Sequence, residues 1–129
     1  MSGTIDISQL NTPPEQHEFE TAKFFSNLGK DIVFIKPSSI PSVHRPDILM
    51  DSLEWEIKCP EGSGKRTIEQ NIRKAVLQSH YIIVDLRWIR VPEKQCLSQL
   101  ELNFKTKPAI KRLLAIKKDL ELVEFPKKD

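Results

Sequence analysis

Pro46-Asp47 and Glu56-Ile57-Lys58 are the residues of this chain whose types and spacing could do chemistry. Side chains alternate along a strand, so Glu56 and Lys58 would share one face. An Asp on a neighbouring strand can reach that face. Two carboxylates meeting there offer hard oxygen ligands that suit Mg²⁺ or Mn²⁺, with Zn²⁺ as the alternative. A cation so held polarises a phosphoryl oxygen and acidifies water. A lysine beside it could orient the nucleophile or offset charge in the transition state. Glu18 could complete the cation's shell. Each piece also has a plainer reading: Glu-x-Lys is common on solvated strands, and Pro-Asp is a turn signal.

The elements that must position these residues can be read along the chain. Residues 1–11 read as a flexible leader and 12–129 as one domain, consistent with a length of 129 residues. Thr12, Pro13 and Glu15 form a capping-box pattern that predicts a helix over 13–28, stopped by Gly29. Its apolar face is Ala22, Phe25 and Leu28, with Phe24 beside them. Residues 31–36 are rich in β-branched types and predict a strand. Pro37, Ser38, Ser39, Pro41 and Ser42 mark a loop over 37–45. Strands follow over 46–50 and 53–59, joined tightly at Asp51-Ser52.

Glu61 to Gly64 reads as a loop, and Thr67 with Gln70 predicts a second helix over 67–79. Residues 80–86 form a nearly continuous apolar run, as in a buried strand. A third helix runs from Pro92-Glu93 to about 104. Residues 112–126 fit a closing hairpin around Lys118-Asp119, with a helix over 108–117 as the alternative. The order implies an α/β fold, a central mixed sheet flanked by helices.

Taken together, these segments resemble the PD-(D/E)xK nuclease superfamily, whose motif Pro46-Asp47 and Glu56-Ile57-Lys58 match. More narrowly, residues 17–86 resemble the C-terminal tRNA-cleaving toxin domain of contact-dependent growth inhibition proteins. The carrying segments are His17 to Ala22 ending at Gly29, Arg45-Pro-Asp-Ile48, Trp55 to Lys58, and Ile72 to Gln78 running into Val84 to Arg87. The resemblance implies a restriction-endonuclease-like core and a catalytic set of Glu18, Asp47, Glu56 and Lys58, with Glu20 competing for the helix position. It also implies a divalent cation on Asp47, Glu56 and Glu18, and a tRNA substrate. A cognate immunity protein and action in a target cell's cytoplasm, as the C-terminal domain of a larger secreted protein, follow from it too. The alternatives are a DNA endonuclease of restriction or junction-resolving type, and a non-catalytic nucleic-acid-binding or interaction domain.

Charge and composition bound the rest. Residues 1–61 carry five Lys/Arg and ten Asp/Glu, and residues 62–129 carry fifteen and eight. An acidic half could gather a cation while a basic half holds phosphates. Lys65, Arg66, Arg73 and Lys74 are candidates for phosphate binding, and Gln78 could reach the site. Trp88, near Arg87 and Arg90, could stack on an unpaired base. His44, directly before Pro46-Asp47, is a better acid–base candidate than His17 or His80. Cys59 and Cys96 lack metal-ligand spacing and read as free thiols. Neither an apolar run of ~20 residues nor a signal-peptide core is visible.

Overall fold

The computed structural model describes residues 2–127. Seven strands form one sheet in sequence order: β1 (Ile5–Asp6), β2 (Ile32–Phe34), β3 (Ile48–Met50), β4 (Leu53–Lys58), β5 (Tyr81–Asp85), β6 (Arg112–Ile116) and β7 (Leu122–Phe125). The pairs β1–β2, β4–β5 and β5–β6 are parallel; β2–β3, β3–β4 and β6–β7 are antiparallel. Parallel neighbours need a crossover, and each has one helix: α1 (Gln16–Asn27), α2 (Thr67–Ala75) and α3 (Glu93–Thr106). This is the expected single α/β domain with a mixed sheet.

Two cores form, one on each face. Phe24 and Phe25 of α1 pack with Trp55, Ile57, Ile83 and Ile116. Ile68 and Ile72 of α2 and Leu100 of α3 pack with Ile82, Val84 and Leu113. Trp55 is fully buried and its indole nitrogen donates to the Met50 carbonyl at 3.0 Å. Truncating such a residue to Ala typically costs about 3–5 kcal/mol.

The leader expected over 1–11 contributes β1 and is tied into the sheet. The Gly3 amide donates to the Ser26 carbonyl at 2.7 Å, and Ser26 Oγ donates back to the Gly3 carbonyl at 2.8 Å. Any Cβ at Gly3 would strike the Lys30 carbonyl oxygen. The first helix starts later than its capping box suggested. A proline disfavours helical geometry in the residue before it, so Pro13-Pro14 postpones the start. Glu15 becomes the cap, its carboxylate accepting the Glu18 amide at 3.1 Å. The predicted stop holds: Gly29 has φ 92°, its amide bonds Ser26 and the Lys30 amide bonds Phe25. Leu28, assigned to the apolar face, is exposed at this cap.

The Asp51-Ser52 connection is the expected hairpin, both residues having positive φ (55° and 63°), as a primed two-residue turn requires. The second capping box does not form. Arg66 precedes the helix without a side-chain cap, and α2 ends at Ala75. Residues 76–78 follow as turns, with Gln78 and Ser79 amides both bonded to the Ala75 carbonyl. The closing segment is the hairpin β6–β7, and its first strand pairs β5 in parallel.

Candidate functional site

Asp47 stands just before β3, where its amide donates to the Trp55 carbonyl at 2.9 Å. Its Oδ2 accepts the Ile57 amide at 2.8 Å. That bond aims the Asp47 carboxyl at Glu56, close enough that each acid acts on the other's charge. Glu56, only 4% exposed, points to the sheet face covered by α2. Lys58 Nζ approaches Glu56 Oε2 at 3.3 Å. Gln78, with its amide nitrogen facing the site, donates to both Glu56 oxygens, at 3.2 Å to Oε1.

Burial and Asp47 push Glu56 up to about 8, against the partial relief of Lys58. Asp47 is also raised, mainly by burial. Glu18, on α1, is pushed up to about 7 by burial and then by Asp47 and Glu15. One lysine does not neutralise three carboxyl groups in a partly dehydrated place. Such an arrangement favours either protons or a cation.

The space around these groups has two parts. A cleft of about 320 Å³ is floored by Asp47, Glu56 and Gln78 and walled by the loop after β2. An adjoining hollow of about 200 Å³ holds Glu18 and Glu15, and Asp47 lines both. Thus Asp47 and Glu56 share the cleft floor and Lys58 contacts Glu56 without lining either space, while Glu18 faces Asp47 from the neighbouring hollow. Glu20 instead pairs with Lys23 at 3.6 Å. Among the described residues no three Asp, Glu, His or Cys side chains gather around one point as a metal shell. The donor set still fits Mg²⁺ or Mn²⁺, because Mg²⁺ is usually bound through one or two carboxylates and keeps several waters.

The other candidates are dispersed. Of the five proposed substrate contacts, Gln78 reaches the cleft. Lys65 lines a separate groove with Glu69 and Asn103. Arg66 and Arg73 both pair with Glu69, at 3.7 and 3.4 Å. Lys74 is exposed on the same helix. His80 Nδ1 lies 2.8 Å from the Ala109 carbonyl, whereas His44 lines the cleft. Trp88 stacks on His17, ring centroids 3.9 Å apart, with Arg87 over its ring at 4.9 Å. Cys59 and Cys96 are free; burial pushes the Cys59 thiol up to about 12, so it stays protonated and is no nucleophile.

Sequence reasoning missed one polar cluster altogether. Asp85, at the end of β5, is fully buried. It accepts from Arg87 Nε (2.9 Å), Arg87 Nη2 (2.7 Å) and Thr21 Oγ1 (2.6 Å). The only sequence signal was an acid closing an otherwise apolar strand, with a basic residue two positions on.

Comparison with known proteins adds the family. The model of the contact-dependent growth inhibition CdiA C-terminal domain matches residues 44–122, a span that includes Asp47, Glu56 and Lys58. Curated proteins give no match. Among solved structures, a chain of the "CdiA-CT/CdiI toxin and immunity complex from Burkholderia pseudomallei" is similar, with a TM-score of 0.71 at 18% identity. The alignment covers 95% of this chain and 98% of that one. Among the described residues no helix is long and apolar enough to cross a membrane.

Proposed function

Since the chain belongs to the contact-dependent growth inhibition CdiA C-terminal domain family, we propose that it is the toxin domain of a larger delivered protein. Its activity is that of a divalent-metal-dependent nuclease cutting tRNA in the cytoplasm of a target cell. One arrangement carries this reading: Asp47 and Glu56 side by side on the floor of one cleft, with Lys58 Nζ 3.3 Å from Glu56. Its order along the chain also supports a place in the PD-(D/E)xK superfamily.

Asp47 and Glu56 would hold Mg²⁺ or Mn²⁺, with Glu18 across the hollow orienting a water beside it. When bound, the cation polarises the phosphoryl group and acidifies water. A cation bound there would take over from Lys58 the neutralising of Glu56. Lys58 would then be free to offset the charge that grows on the phosphoryl oxygens. Gln78 fixes the Glu56 carboxylate from the α2 side. Burial of the pair excludes water from the floor of the cleft, which strengthens these interactions.

A nuclease of this kind endangers its own producer, so a cognate immunity protein is part of the proposal. Occlusion of the cleft over Asp47 and Glu56 is its simplest mode. The similar solved structure, described as a toxin and immunity complex, supports the expectation of such a partner.

The test pairs substrates. Purified protein is incubated with total tRNA and with plasmid DNA, with Mg²⁺ or Mn²⁺ and with chelator, beside Asp47→Ala. The expected result is metal-dependent tRNA cleavage that Asp47→Ala abolishes. Cleavage of plasmid alone would favour the DNA-endonuclease reading. No cleavage of either would favour a binding module.

A further inference from the structure

The cleft has a wall that the proposed chemistry does not use. Residues 36–46 form a loop whose ends are held together, the Ile35 amide donating to the Asp47 carbonyl at 2.9 Å. The Lys36 amide donates to Gln9 Oε1 at 3.0 Å. Within the loop, the Val43 amide donates to the Ile40 carbonyl at 3.0 Å. Pro41 occupies the second position of that turn, which its fixed φ favours. The Ile40 amide also donates to Ser38 Oγ at 3.1 Å. A loop held at both ends and stiffened by proline presents its surface with little ordering left to do.

That surface is chemically divided. The turn brings Ile40 and Val43 together, and both side chains line the cleft while remaining 56% and 45% exposed. His44 and Arg45 follow at once, also lining it, and the next two residues are Pro46 and Asp47. Within eight residues the chain therefore offers an apolar shelf, two nitrogen-rich side chains and one acid of the carboxyl pair. A nucleotide has the same division: an apolar base face and an anionic phosphate. The volume of about 320 Å³ lies at the small end of ligand sites. It is of the size of one extruded nucleotide.

We infer that the 36–46 loop is a nucleotide-binding wall: Ile40 and Val43 take the face of one unpaired base, and Arg45 takes a phosphate adjacent to the bond over Asp47 and Glu56. The inference rests on the nuclease reading and adds to it that the strand must be unpaired beside the cut. Apolar contact with a base face tolerates any base, so this wall selects for an open strand rather than for sequence.

The experiment separates the two claims by measuring binding without turnover. The full chain carrying Lys58→Ala is titrated with a fluorescein-labelled single-stranded RNA hexamer and with the same hexamer in a duplex. The single strand is expected to bind at least about 10-fold more tightly. Adding Ile40→Ser and Val43→Ser should weaken single-strand binding about 10-fold. Adding Arg45→Ala should weaken it about 5-fold and lower the salt dependence by about one ion. Unchanged thermal melting of these exposed-site variants controls for folding. Equal affinity for strand and duplex, undetectable binding, or undiminished binding by the Ile40/Val43 variant overturns the inference, even if the wild type cuts tRNA. Undiminished RNA binding with lost binding of the immunity protein would assign the shelf to that protein instead. Failure of the wild type to cut any RNA, with the binding pattern intact, refutes the nuclease reading and leaves the wall standing.

Discussion

Two carboxylate clusters sit near the same end of the sheet, on opposite faces, and they are built to opposite rules. On the α1 face, Asp85 is fully buried yet completely served, with two side-chain bonds from Arg87 and one from Thr21. On the α2 face, Glu56 is almost as buried, but it confronts Asp47, and against the two acids stand one lysine and the neutral Gln78 amide. The first cluster holds α1 against β5 and is closed. The second is short of positive charge and opens into a cleft. Burial of acids alone therefore does not locate a site; the balance of positive charge to carboxylates does.

The contrast can be broken most severely at Asp85. Asp85→Ala leaves the Arg87 guanidinium half-buried without its partner and should cost about 3–5 kcal/mol in denaturant unfolding. A loss below about 1 kcal/mol would mean the cluster is not a closed ion pair.

Glu56→Gln should act with the opposite sign. The folded protein holds Glu56 at about 8, against an ordinary value of 4.5. Between those values the folded form keeps a proton that the unfolded chain has lost, so stability falls as pH rises through that window. The variant should therefore be more stable than wild type by about 1–3 kcal/mol at pH 8–9, and equal to it below pH 4. A variant less stable than wild type at high pH would contradict the shortage of positive charge.

A smaller effect sharpens the same point without any substrate. Mg²⁺ at ten times its dissociation constant should stabilise the wild type by about 1.4 kcal/mol at pH 8, a rise in Tm of about 4 °C. Asp47→Ala should show no rise. The smallest effect belongs to the exposed helix pairs. Arg73→Ala, which removes one contact to Glu69, should change stability by less than about 0.5 kcal/mol.

What the sequence made legible follows from the range of the interactions. Alternation along Leu53–Lys58 put Glu56 and Lys58 on one face and Trp55 and Ile57 on the other, because strand geometry is local. Gly29 and Asp51-Ser52 were likewise legible, since each turn is decided by its own backbone. The closing hairpin competed with a helix until pairing with β5 decided it. β1 was hidden because it is two residues long and depends on Gly3 meeting Ser26. The Asp85 cluster was hidden because Thr21 lies 64 residues away in the chain. The basic residues of α2 were legible as charges but not as directions, and Glu69 takes two of them.

The central claim is that the Asp47–Glu56–Lys58 arrangement does phosphodiester chemistry, and Lys58 tests it most directly. Glu56 retains the Gln78 bonds without Lys58, so Lys58→Ala should melt close to wild type. The decisive measurement is the single-turnover rate of tRNA cleavage by wild type and Lys58→Ala, at matched Mg²⁺ and verified folding. A loss of about 10²–10³-fold is the predicted result; a variant that cleaves within twofold of the wild-type rate would contradict the claim.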